Sequence, residues 1–186
     1  LRNLGFVIHE WLISTESKEG MEDAELLITK LAARFGEIRD ANEAIESFVG
    51  RTTFQMIKKK QYDQAQALID RQQKQLDENT FRDLHREVFE SQAGILSNQQ
   101  KWEETIAVYV SGLKKLPKDK QLTNNLIFTW NSWANTYQKA NDWSAAGEVY
   151  LKALESGIDN REMGKRVGFC VQELGLNSWK KDGPEA

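Results

Sequence analysis

The chain carries two histidines, one cysteine and 28 acidic residues, the side chains with which proteins most often do chemistry. His85 lies in "RDLHREVF", a charged stretch at the start of an expected helix. No partner recurs at metal-ligand spacing, so a solvated surface histidine is expected. His9 is followed by Glu10 in an apolar segment with no candidate nucleophile placed near it, which makes it a groove or packing residue rather than a catalytic base. Cys170 falls on the apolar face of an expected helix with no cation on that face to lower its pKa, so it reads as a buried, inert thiol. Carboxylate pairs such as Glu103 and Glu104 are adjacent in sequence and diverge on a helix. The chain has no Gly-rich phosphate loop, no Cys-x-x-Cys and no His-Glu-x-x-His. The expectation is a non-catalytic protein with no cofactor and no metal.

Two features point toward binding. "KKK" at 58–60 can form a basic patch, though a solvated helix end complementing the helix dipole is the expected role. Six tryptophans can stack on bases, but Trp102, Trp130, Trp133 and Trp143 fit packing positions, leaving Trp11 and Trp179 without a role. The net charge of −3 disfavours general binding to nucleic acid or anionic membrane. No apolar run approaches the roughly 20 residues of a membrane span. The opening "LRNLGFVIHEWLIS" lacks the plan of a signal peptide and reads as a buried helix. The chain opens on Leu1, so it is expected to be part of a larger or processed polypeptide. A single cysteine excludes an internal disulfide and assigns no compartment; a soluble, cytoplasmic setting is favoured.

The elements that hold these residues repeat. Met21, Tyr62, Trp102 and Trp143 stand at intervals of 41, 40 and 41 residues. Three residues on come Ala24, Ala65, Thr105 and Ala146, all small. Four further on come Ile28, Ile69, Tyr109 and Tyr150, then Leu31, Gln72, Gly112 and Ala153. Steps of three and four place these on one helix face, and the fixed interval marks a helical array. A longer helix precedes each: about 41–60, 81–99 and 120–140, with caps expected at Asp40, Thr80 and Asp119. The junctions are "KKQ", "NQQ" and "KAN". The first copy keeps a remnant, about 2–15, with "ESKEG" as its turn. Residues 160–175 form a capping helix with Met163, Val167, Cys170, Val171 and Leu174 inward, stopped by Gly175, and 176–186 a flexible tail.

These features resemble the tetratricopeptide repeat family over about residues 5–160. The match is fullest at 127–160, through Trp130, Ala134, Tyr137, Trp143, Ala146, Tyr150 and Ala153. The 86–119 copy matches through Phe89, Ala93, Leu96, Trp102, Tyr109, Gly112 and Pro117; 46–79 and 5–38 are weaker. The family period is 34 residues. The extra six or seven residues here, about two turns, are placed at the start of each first helix. The resemblance implies an all-α, right-handed α-solenoid of antiparallel helix pairs. Its repeats lie at about 1–38, 39–79, 80–118 and 119–159.

The resemblance also implies a concave groove that holds a segment of a partner protein. Carried onto this chain, the inward-facing residues are Arg51, Phe54 and Lys58, then Glu87, Glu90 and Ser91, then Phe128, Asn131, Ser132 and Asn135. The clamp that some members use for a terminal carboxylate is not expected, because Glu87 and Glu90 stand where cations are needed. The leading expectation is a protein-interaction scaffold binding a protein or peptide. The alternatives are a structural or self-assembling module whose truncated first repeat docks on another copy or on a missing upstream domain and, disfavoured by charge, binding of single-stranded RNA.

Overall fold

A computed structural model describes residues 4–157 and 160–182, with the side chains of 160 and 178–182 outside the description. Among the described residues the chain is all-α: nine α-helices, one 3₁₀ turn and no strand. The helices are α1 (Leu4–Glu19), α2 (Met21–Phe35), α3 (Arg39–Lys58), α4 (Tyr62–Arg71), α5 (Glu78–Asn98), α6 (Trp102–Lys115), α7 (Lys120–Lys139), α8 (Trp143–Glu155) and α9 (Asn160–Asp182). The chain divides into two compact units, residues 1–92 and 93–186. In the first, α1 packs on α2 and α3, and α3 packs on α4. In the second, packing runs in chain order, α6 on α7, α7 on α8 and α8 on α9.

The internal repeat is carried by these helices. Met21, Tyr62, Trp102 and Trp143 are each the first residue of a shorter helix. The small residues three positions on, Ala24, Ala65, Thr105 and Ala146, are all fully buried. So are Ile28, Ile69 and Tyr150 at the next position, with Tyr109 nearly so. Thr105 tolerates burial because its hydroxyl donates to the Lys101 carbonyl one turn back (2.8 Å). Gln72 tolerates it because its amide donates to Glu25, whose carboxylate also takes two N–H groups of Arg71 at 2.7 Å. The longer helices bury Thr53, Ala93 and Ala134 nine residues before Tyr62, Trp102 and Trp143, so small side chains line both helices of these three pairs; before Met21 the position is the larger Leu12.

The junctions share one geometry. Lys60, Gln100 and Asn141 have φ of 59°, 57° and 57°. The next residue's N–H reaches back five positions: Gln61 to the Met56 carbonyl, Lys101 to Leu96 and Asp142 to Tyr137, at 2.9–3.0 Å. This left-handed cap closes α3, α5 and α7 and reverses the chain. After α1 the corresponding bond is made by Gly20 itself, at φ 102°, whose N–H reaches back five positions to the Thr15 carbonyl (3.2 Å). "ESKEG" is therefore not a turn: α1 continues through Glu19, and Gly20 alone makes the junction.

The caps correct two expectations. Asp119 does cap α7, its Oδ1 accepting from the N–H groups of Gln121 (3.1 Å) and Leu122 (3.0 Å). At α5 the cap is Asp77 rather than Thr80. Its carboxylate accepts from both N–H groups at 79 and 80 and from the Thr80 hydroxyl, bonds that hold its pKa below the usual carboxylate range. Asp40 lies inside the first turn of α3, which starts at Arg39 without a side-chain cap.

α9 departs further. It passes Gly175 and ends at Asp182, so glycine does not stop it and the expected tail is helical to that point; 183–186 lie outside the described residues. Met163 and Cys170 are buried, but Val171 and Leu174 are exposed. The packed stripe is turned by about one position, bringing Arg166 over the Tyr150 ring (5.8 Å) and Phe169 edge-on to Trp143 (5.6 Å).

Candidate functional site

His85 is fully buried, not solvated. Its neighbours in sequence are charged, but Phe81, His85 and Phe89 recur every four residues on the inward face of α5. The Phe81 ring meets His85 edge-on at 4.6 Å and the Phe89 ring stacks at 6.3 Å. His85 Nε2 lies 3.0 Å from Asp70 Oδ1 on α4, so this nitrogen carries a proton and donates it. With the ring enclosed, this histidine ties α4 to α5 rather than meeting a substrate.

His9 lines a cleft of about 330 Å³ with Phe6, Asp40, Glu43 and Ser47, and its Nδ1 is 4.0 Å from Glu10. Cys170 is buried against Gln138, and that burial raises its thiol pKa. Among the described residues, no three His, Cys, Asp or Glu side chains are grouped to hold a metal. No described helix is long and apolar enough to cross a membrane.

The groove candidates fall in both units. In the first, Arg51 donates to Glu16 of α1 and its guanidinium lies 5.3 Å over the Phe48 ring. Phe54, 45% exposed, carries the Lys58 ammonium 4.4 Å above its ring. One turn of α3 thus presents an exposed aromatic capped by a cation, while Arg51 serves packing between α1 and α3. On α5, Glu87 is exposed, and Glu90 and Ser91 are half-buried.

In the second unit the candidates cluster on α7. Phe128 is 69% exposed, a large apolar surface in water. One turn on, Asn131 is half-buried, and its Oδ1 is enclosed with no hydrogen-bond partner among the described residues. Leaving such an acceptor unmade costs about 1–3 kcal/mol. Ser132 and Asn135 line a cleft of about 430 Å³, together with Asn98, Gln100, Trp102, Thr136 and Lys139. The steps 128, 131, 132, 135, 139 make this one face of α7, running from an exposed ring through amides and a hydroxyl to a cation.

A second cleft, about 450 Å³, shares Gln100 and Trp102 and adds Lys101, Glu103, Glu104, Trp133 and Tyr137. Trp133 stacks on Trp130 (centroids 5.7 Å apart, planes 19°). The Lys152 ammonium lies 5.3 Å from the Trp133 ring centre and 3.8 Å from Glu103 Oε1. Sequence reasoning gave both Trp102 and Trp133 to the core. Trp133 is indeed buried, but Trp102 is only half-buried and walls both clefts. The available signal was "NQQKWEE", an aromatic that opens a helix beside two carboxylates and a junction, facing a Trp–Tyr pair four residues apart on α7.

Compared with models of protein families and with curated proteins, the chain matches none.

Proposed function

We propose that the chain is a non-catalytic interaction scaffold, a right-handed α-solenoid of the tetratricopeptide kind, that holds an extended segment of a partner protein along α7. The observation that carries this is the α7 face itself. Phe128 offers about 1.5–3 kcal/mol of apolar burial to a partner side chain. Asn135 and Ser132, beside the 430 Å³ cleft, supply groups that pair with a peptide backbone whatever its sequence, and Asn131 lies on the same face of α7 between them and Phe128. Arg51 is left out of this binding face because it is committed to Glu16. Within the first unit, Phe54 and Lys58 of α3 and Glu87, Glu90 and Ser91 of α5 are proposed partner contacts in their own right.

The test is a photo-crosslinking side chain placed at Phe128, with a matched one at Leu151, exposed on α8. Capture of the same polypeptide at 128 and not at 151, weakened about tenfold by Asn135→Ala with an unchanged melting curve, supports the proposal. Equal capture at both positions overturns it.

A second reading has its own observation. Phe6, Val7 and Trp11 are 67%, 54% and 53% exposed on α1, a large apolar surface next to the packed α1–α3 contact. Self-association through α1 predicts a mass that rises with concentration in light scattering and returns to the monomer value on Trp11→Lys.

A further inference from the structure

We propose that the 450 Å³ cleft between the α5–α6 junction and α7 is a receptor for an organic cation, met in the complex as a lysine or arginine side chain of the partner. Three aromatic side chains, Trp102, Trp133 and Tyr137, line it, and Glu103 and Glu104 stand at its rim. Ring faces carry negative electrostatic potential and attract ammonium and guanidinium groups; walls of this kind recognise cations elsewhere in proteins. Its volume falls within the range of ligand pockets.

The second observation is that an ammonium is already held here. Lys152 Nζ sits over the Trp133 ring and beside the Glu103 carboxylate, which is the combination a foreign cation would use. Trp130, stacked behind Trp133, fixes the ring in that orientation. The internal contact is exchangeable. Lys152 and Glu103 are both largely exposed and 3.8 Å apart, and Lys101 meets Glu104 at 3.4 Å in an equally exposed pair. Such pairs are weak and screened by salt.

Charge alone does not select the ligand: Glu103 and Glu104 in the first turn of α6 are matched by Lys101 and Lys152, so the preference for a cation comes from the ring faces and from the carboxylate a ligand meets when it displaces Lys152. That the cation belongs to a partner's side chain rests on the groove reading above. The cleft itself does not, and its test needs no partner.

The indole N–H resonances of the six tryptophans, assigned by substitution, report the cleft in the full chain. Titration with N-acetyl-arginine methylamide, with tetramethylammonium chloride, and with sodium chloride at matched ionic strength gives three arms. Saturable shifts at Trp102 and Trp133 with the first two, a midpoint on the order of millimolar, and an unmoved Trp11 are expected. Exposed Glu103→Gln combined with Glu104→Gln should weaken both about fivefold. Lys152→Met should strengthen both about twofold by removing the internal competitor. Shifts no larger than those from sodium chloride, or unaffected by the double substitution, overturn the site. Tighter binding of tetramethylammonium than of the arginine derivative overturns the side-chain assignment and makes the ligand a free quaternary ammonium. Cation binding in a chain that captures no partner at Phe128 keeps this site and removes the groove.

Discussion

The junction residues Lys60 and Gln100 hold backbone conformations that glycine adopts freely, and replacing them gives a quantitative test of the repeat. A residue with a β-carbon at φ near +58° costs about 1–2 kcal/mol relative to the right-handed region, and both residues sit there, at φ 59° and 57°. Glycine removes that cost but loses about 0.5–1 kcal/mol more to the unfolded chain's freedom. The difference is a gain of about 0.5–1 kcal/mol for each of Lys60→Gly and Gln100→Gly. The gain at Asn141→Gly should be smaller, since asparagine tolerates this conformation.

The two sites close different helices with separate hydrogen bonds, Gln61 to Met56 and Lys101 to Leu96, so their effects should add to about 1–2 kcal/mol. For a chain of this size that is a rise of roughly 2–8 °C in the melting midpoint, readable by scanning calorimetry. The control is Lys59→Gly. Lys59 has φ −85°, where glycine relieves nothing, so this variant should lose stability. An unchanged or lowered midpoint for both Lys60→Gly and Gln100→Gly, or a gain from Lys59→Gly, would refute the shared junction geometry.

Three further substitutions probe single contacts. A β-carbon on Gly5 would stand 2.8 Å from the Asp40 carbonyl oxygen, a backbone atom that cannot rotate aside, so Gly5→Ala should push α1 off α3 and cost about 1–3 kcal/mol in urea unfolding. Asp119→Ala leaves the N–H groups of Gln121 and Leu122 without their acceptor at a buried cap and should cost about 1–2 kcal/mol, while Asp119→Asn keeps an oxygen there and should cost less than half as much. Cys170 should react with a thiol reagent at least about tenfold faster in denaturant than in the folded chain. Burial raises its pKa, so the unfolded thiol ionises first; stability is whole below about pH 9 and falls as pH climbs through the folded value, and Cys170→Ala should flatten that alkaline slope.

Much of the fold was legible because one constraint is written four times. A helix pair must bring two backbones close, which demands a small residue on each helix, and Ala65 with Thr53 or Ala146 with Ala134 meet it by residue type alone. Helix ends were harder, because capping depends on which oxygen reaches the free N–H groups. Thr80 has the right chemistry, yet its hydroxyl donates to Asp77, the stronger acceptor three residues earlier. The inward stripe expected on α9 holds at Met163 and Cys170 and fails at Val171 and Leu174, which satisfy the same spacing yet are exposed. Only the neighbour, α8, decides which way the helix is turned, and it brings Arg166 over the Tyr150 ring.

His85 and the aromatic cleft were missed for opposite reasons. At His85, local composition outweighed period: Arg82, Asp83, Arg86 and Glu87 suggest water, whereas Phe81 and Phe89, four residues to either side, set an apolar face that includes the imidazole. The cost of burying that polar ring is offset by Asp70, which lies fifteen residues away and on another helix, where no local pattern reveals it. At the cleft, period outweighed composition. Trp102 keeps the repeat's register, so it was assigned to the core, but as the first residue of α6 it stands at the end of a helix pair where packing covers only part of the ring. An aromatic that holds register at a helix end packs on the array with one face, and what meets the other face depends on the neighbouring elements. Trp143 occupies the same position in α8 and has its ring met edge-on by Phe169 of the following helix. Trp102 instead borders the two clefts along α7, and the difference between these two equivalent tryptophans is the physical basis for placing a binding site at one and not at the other.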